Sequence, residues 1–246
     1  MPTNSNINVQ LLNNLSGLSA FAQVIERSVL MLSSQDQELE RAVELHVQAY
    51  SGDEYIKCII GNDWSLLATH GRSVFRAALS EGLVYAVRVR EPQNETAGTE
   101  GKIVSLGIFF RPGTGLFATE AQRELGFHEW FDKLSQEVQT WHNTTAPEHR
   151  KNVVEPMYTD EERSKRWWCS SLITDRDYQG KGYAKALIKK AFEKISEEGG
   201  FLGLATLAPI NVVKYKAMGF TVRAKYSLPT VYGELELTSL VMGGSK

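Results

Sequence analysis

Ten residues at positions 175–184, Asp-Arg-Asp-Tyr-Gln-Gly-Lys-Gly-Tyr-Ala, constrain this chain more than any other stretch. Before them, Arg-Trp-Trp-Cys-Ser-Ser-Leu-Ile-Thr at 166–174 is predicted to be a strand. After them, Ala184, Leu187, Ile188, Ala191, Phe192 and Ile195 recur at the spacing of an amphipathic helix, which Gly199 and Gly200 bring to an end. Gly180 and Gly182 therefore sit just before a first helical turn. Without a Cβ, they let the chain turn tightly and bring its amides close to a ligand. The first N–H groups of a helix have no partner within it, and the helix dipole is positive at that end. Such a place suits a phosphate or pyrophosphate. Glycine spacing alone fits a plain strand-to-helix turn equally well. A P-loop would need Ser or Thr after Lys181, where Gly182 stands, and a dinucleotide fingerprint would need a small residue where Lys185 stands.

The rest of the pattern is α/β. A short buried strand is expected at 28–33. One helix is expected on Leu39, Val43, His46 and Tyr50, and another on Leu66, Leu67, His70, Val74, Phe75 and Ala78. Strands are predicted at 83–90, 103–110, 201–207, 220–227 and 234–242, with a short helix begun by Pro209 and ended by Gly219. Helix and strand alternate only in part, which points to a mixed sheet of about seven strands with flanking helices. Residues 1–27 form an N-terminal extension, loosely held at its start, in which 11–25 is a candidate added helix. Residues 28–246 form the main domain. Within it, 111–165 reads as a helical insertion between the third and fourth strands, opened by Pro112, Gly113 and Gly115. Phe127, Phe131, Leu134, Val138 and Trp141 mark an aromatic helix there. Trp130 falls one position off that stripe, so it is expected to face a substrate pocket rather than the core.

Composition narrows the function classes. A net charge of −2 over 246 residues gives no general attraction to nucleic acid or to an anionic membrane. Cys58 and Cys169 belong to no CxxC pattern, no HExxH is present, and no metal site is expected. The polar start is no signal peptide and no apolar run reaches membrane-spanning length, so a cytoplasmic location is expected.

The loop resembles motif A of the GNAT acyltransferases: Gln179, Gly182 and Ala184 match its Gln/Arg-x-x-Gly-x-Gly/Ala pattern in register. Tyr215-Lys-Ala-Met-Gly-Phe220 resembles the family's YxxxGF block. The specific motifs lie within 167–220, while the order of elements can be laid on the fold from Ser28 onward. The resemblance implies a cofactor site for acetyl-CoA at Leu172, Ile173, Thr174, Gln179, Gly180, Lys181, Gly182, Tyr183 and Ala184. It also implies Tyr215 as the acid that protonates the departing thiolate, and a primary amine of a small molecule as acceptor. A protein acceptor, or an acyl-CoA sensor without turnover, are the other readings. Two family features are missing: Ala208 stands where many members carry asparagine, and Leu204 where many carry a carboxylate. Asp160, Glu161 and Glu162 precede the strand as candidate bases. By plain alternation Cys169 and Ser171 share one face of that strand.

Overall fold

The computed structural model describes residues 8–14, 24–26, 34–89 and 102–244. Its strands are β1 (Asn8–Asn14), β2 (Val24–Glu26), β3 (Leu83–Val89), β4 (Lys102–Phe110), β5 (Arg166–Thr174), β6 (Phe201–Thr206), β7 (Thr221–Thr230) and β8 (Gly233–Met242). They form one mixed sheet in the order β2-β1-β3-β4-β5-β6-β8-β7. The strand expected at 28–33 lies outside the described residues. The helix expected over 11–25 is not what the described part of that stretch forms. Val9 and Leu11 pair with Val87 and Tyr85 of β3, because the edge of β3 offers a row of backbone groups that an extended segment satisfies.

On one face lie α1 (Ser34–Tyr50) and α3 (Leu67–Glu81), joined by the short α2 (Glu54–Ile59). Val43, Val74, Phe75, Ile108, Phe110 and Ile173 fill the core between those helices and the sheet. The opposite face is covered by α9 (Tyr183–Glu197) and α10 (Pro209–Met218), over Phe109, Trp167, Cys169, Leu187, Ile188, Leu204 and Phe220. Among the described residues no helix is long and apolar enough to cross a membrane.

Between β4 and β5 the chain is helical. It contains α4 (Glu120–Arg123), α5 (Phe127–Phe131), α6 (Gln136–Thr140), α7 (Ala146–His149) and α8 (Asp160–Lys165), with π-helical turns at Trp141–Thr145 and Arg150–Val154. The aromatic stripe is not one helix. Ser135 starts α6 by accepting the amide of Val138, and that break rotates the two halves apart. Trp130 consequently turns into the core, where it is 1% exposed and donates its Nε1–H to Ser73 Oγ at 2.9 Å. It walls no pocket, which corrects the expectation from its place beside the stripe. Residues 141–158 lie along β7 and β8 instead. Trp141 donates to the carbonyl of Pro229 at 2.7 Å, His149 to that of Ser227 at 2.7 Å, and the Tyr158 hydroxyl meets Ser239 Oγ at 3.0 Å.

His46 belongs to the packed interior, 2% exposed, with Nε2 at 3.2 Å from His70 Nδ1. Burial depresses the pKa of His46 to about 4 and that of His70 well below its ordinary value. Both rings stay neutral when folded and take up a proton more readily when unfolded. Stability is therefore full above about pH 6.5 and falls as pH drops toward 4, by about 3 kcal/mol from His46 alone. Urea unfolding at pH 7 and pH 5 should show this loss. Equal midpoints would contradict the buried neutral pair.

Candidate functional site

The site begins where two parallel strands part. β5 and β6 pair only at Arg166–Phe201, Trp167–Leu202 and Trp168–Gly203. Beyond that point β5 remains paired with β4 as far as Thr174–Ser105, and β6 with β8 as far as Thr206–Thr238. Each strand thus keeps one satisfied edge and turns the other toward a widening gap. At the mouth of the gap β5 carries an extra residue. Ile108 opposes Ser171 and Phe109 opposes Cys169, which leaves Ser170 as a bulge. The bulge shifts the side-chain alternation by one. Cys169 packs in the cluster beneath α9, whereas Ser171 Oγ meets Tyr50 Oη of α1 at 2.9 Å. The shared face expected for Cys169 and Ser171 does not form, because plain alternation holds only without a bulge.

Of the three strand residues singled out from sequence, Ile173 gives its side chain to the α1–α3 core and its carbonyl to Ser105 Oγ at 2.7 Å. Backbone groups alternate sides along a strand, so those of Leu172 and Thr174 face the gap. Thr174 Oγ1 meets Ser105 Oγ at 2.8 Å. Any ligand lying along this edge meets backbone rather than side chains.

The strand then runs into the glycine loop through an anchored carboxylate. Asp175 is 5% exposed, pairs with Arg41, lies 3.6 Å from Lys102 Nζ and accepts the amide of Asp177 at 3.1 Å. Burial alone would raise its pKa, but the Asp177 amide, Arg41 and Lys102 outweigh burial and hold the carboxyl below its usual range. Gly180 and Gly182 have φ of 75° and 85°, in the left-handed region that glycine adopts without strain. A Cβ built on either would meet no protein atom within 4 Å. The cap of α9 at Gly182 makes no side-chain hydrogen bond, and Ala186 is the first amide in the helix to find a carbonyl, that of Gly182 at 3.0 Å. Among the described residues, the amides of Gly180, Lys181, Gly182, Tyr183 and Ala184 have no acceptor. Lys181 Nζ sits 4.5 Å from the centre of the Tyr178 ring, and the Gln179 side chain reaches back to the Thr174 carbonyl at 3.4 Å. A run of unpartnered amides, a helix dipole and nearby ammonium groups can seat a pyrophosphate.

On the far side of the gap, α10 follows β6 and presents Tyr215. Its ring packs on Phe220, with centroids 5.5 Å apart, and against the Cys169 cluster. Its hydroxyl has no hydrogen-bond partner among the described residues. Burial, with the nearby Cys169 and Tyr50, pushes its pKa well up, so it holds its proton at neutral pH. The three acids at 160–162 are committed elsewhere. Asp160 pairs with Arg163, Glu161 with Lys165 at 2.7 Å and Glu162 with Arg223 at 2.8 Å, while Thr159 and Glu162 form the capping box of α8. Leu204 is buried beneath α9. Sequence reasoning missed Tyr50 and the Ser170 bulge. Tyr50 reaches the site only through a contact spanning 121 residues, and a bulge has no composition signature.

A carboxylate placed on the loop should repel a pyrophosphate. Gly182→Asp is expected to weaken CoA binding at least about tenfold by calorimetry. Gly182→Ala carries the same backbone strain without the charge and serves as the control. Equal affinity in the aspartate and alanine variants would remove the pyrophosphate from this loop.

Residues 135–220 match the sequence model of the Acetyltransferase (GNAT) family. No curated protein matches the chain. Among solved structures, the fold is similar to that of histone acetyltransferase HPA2 and related acetyltransferase from Corynebacterium glutamicum, at 14% identity and a TM-score of 0.56, covering 88% of this chain and 96% of that one. Weaker likenesses include the ribosomal-protein-S18-alanine N-acetyltransferase of Escherichia coli, at 14% identity and a TM-score of 0.42, over 88% of this chain and 96% of that one. Another is a GNAT family acetyltransferase from Elizabethkingia anophelis solved with acetyl-CoA bound, at 9% identity and a TM-score of 0.44, over 98% of this chain and all of that one. Residues 135–220 thus carry the sequence pattern of the GNAT acetyltransferase family, on a fold similar to that of a solved acetyltransferase.

Proposed function

We propose that this protein transfers an acetyl group from acetyl-CoA to the primary amine of a small molecule, by direct attack with both substrates held across the β5–β6 gap. One observation carries the reading. The unpaired edge of β5 leads directly into the unpartnered amides of 180–184, and the free hydroxyl of Tyr215 stands beside that edge. The loop holds the pyrophosphate of the cofactor, and the backbone of Leu172 and Thr174 aligns the extended chain that follows. A thioester is a reactive acyl donor, so fixing amine and carbonyl at attack distance can contribute roughly 7–11 kcal/mol.

Proton handling divides in two. The departing thiolate needs a proton, and Tyr215 holds one without an internal acceptor competing for it. An alkylamine with a pKa near ~10.4 is only about 0.04% neutral at pH 7, so it must lose a proton before or during attack. Tyr50 and Ser171 border the gap, but Tyr50, pushed up to about 12 by burial, stays protonated and is no base at neutral pH. The amine proton is left to water. A small acceptor is favoured because residues 141–158 cover β7 and β8, the strands beyond β6 on that side of the gap.

Removing only the proton donor should separate binding from turnover. Tyr215→Phe is expected to keep CoA affinity and lower turnover by ~10²–10⁴-fold in a free-thiol assay with acetyl-CoA and an amine panel. Wild-type turnover in a chemistry-limited assay would return Tyr215 to a packing role. No thiol release from any amine by the wild-type protein would remove acetyl transfer.

A further inference from the structure

The bulge at Ser170 decides which backbone groups of β5 face the gap. Ahead of it, Trp167 and Cys169 point beneath α9. Past it, Leu172 does so, while Ser171 and Ile173 turn to the α1 face. Backbone groups alternate along a strand as side chains do, so the extra residue also gives the free edge to Leu172 and Thr174 rather than to Ser171 and Ile173. A bulge leaves its extra residue unpaired in the ladder, and contacts from outside the ladder must hold the strand in this register.

Both faces of the sheet supply such contacts. Beneath α9, the Phe109 ring lies over Gly107, where a Cβ would come within 2.8 Å of it. Cys169 Sγ reaches across the bulge to the Ser171 carbonyl at 3.6 Å, but a thiol is a weak donor. On the α1 face, Ser171 is 8% exposed and its hydroxyl meets Tyr50 Oη at 2.9 Å. Among the described residues neither hydroxyl has another partner. Tyr50 is itself anchored. It ends α1, packs against the α1–α3 core and the Ile56–Trp130 cluster, and stands edge-on to His46 with ring centroids 4.7 Å apart. His46 in turn meets His70 of α3 at 3.2 Å, where Gly71 leaves it room, since a Cβ there would fall 2.8 Å from the His46 ring. Two packed helices thus fix one phenol oxygen in space, and that oxygen fixes Ser171.

We propose that Tyr50 is a positioning residue for acyl transfer: through Ser171 it pins the bulge, and the pinned bulge aims the free backbone edge of β5 at the acyl end of the cofactor. Tyr50 touches no reacting atom. Its kinetic effect rests on the acetyl-transfer reading, whereas the pin itself does not. The glycine loop starts beyond Asp175, which Arg41 and Lys102 hold separately, so the grip on CoA survives loss of the pin. What suffers is the alignment of the thioester, and a small misplacement of reacting groups costs rate.

Tyr50→Phe removes one oxygen and keeps the ring against His46. With acetyl-CoA and the amine panel, this variant is expected to lower kcat about tenfold or more, while the calorimetric Kd for CoA stays within about twofold. Ser171→Ala should behave alike, and the double variant should lose no more than either alone, because all three lack the same contact. Amide exchange of the protein without ligand should quicken in peptides covering 168–174 of Tyr50→Phe and stay unchanged over 180–185. Wild-type kcat in Tyr50→Phe, losses that multiply in the double variant, or kcat and CoA affinity falling together would overturn the positioning role. If the wild-type protein releases thiol from no amine, acetyl transfer falls and exchange decides the pin: quicker exchange at 168–174 upholds it, and equal exchange removes it.

Discussion

Everything at the site follows from the parting of β5 and β6 after Trp168 and Gly203. Parallel strands pair continuously unless something makes separation cheaper, and here each strand has a competing neighbour. β4 holds β5 to its end, β8 holds β6 to its end, and the Ser170 bulge bends β5 at the point of departure. Close to the fork, a Cβ on Gly203 would come within 3.1 Å of the Trp168 ring, so glycine lets the strands stay paired up to this point. The gap costs two unpaired backbone edges, which a ligand can satisfy.

The same separation orders the chemistry in sequence. β5 runs on into the glycine loop and α9, and β6 into α10, so the loop and Tyr215 arrive from opposite sides of the gap. Electrostatics reinforces this division. Asp175, pinned by Arg41 and Lys102, fixes the start of the loop, while Lys181 and the start of α9 leave positive potential for an anion. The edge of the gap carries the hydroxyls of Tyr50 and Ser171 rather than free carboxylates, which is why the proposed reading leaves removal of the acceptor's proton to water.

What could be read from residues alone was local. The glycine loop, the amphipathic period of α9 and the Tyr215 block are short-range patterns, and the structure forms their elements where expected. Trp130 was misplaced because the helix carrying its stripe is interrupted at Ser135, whose serine cap was open to view. Asp160, Glu161 and Glu162 likewise stand behind Thr159 in a Thr-x-x-Glu pattern, a capping signature that argues for local structure. Long-range facts were beyond reach. The Ser170 bulge, the Tyr50–Ser171 contact and the pairing of β1 with β3 all depend on which strand lies beside which.

The central claim, that the gap and the loop together hold the cofactor through backbone groups, is tested most directly by amide hydrogen exchange with and without acetyl-CoA. The account predicts slowed exchange in peptides covering 171–174 and 180–185, with β4 and β8 unchanged because their amides are already paired. Protection elsewhere, with the amides of 180–185 exchanging as freely as in the protein alone, would contradict it.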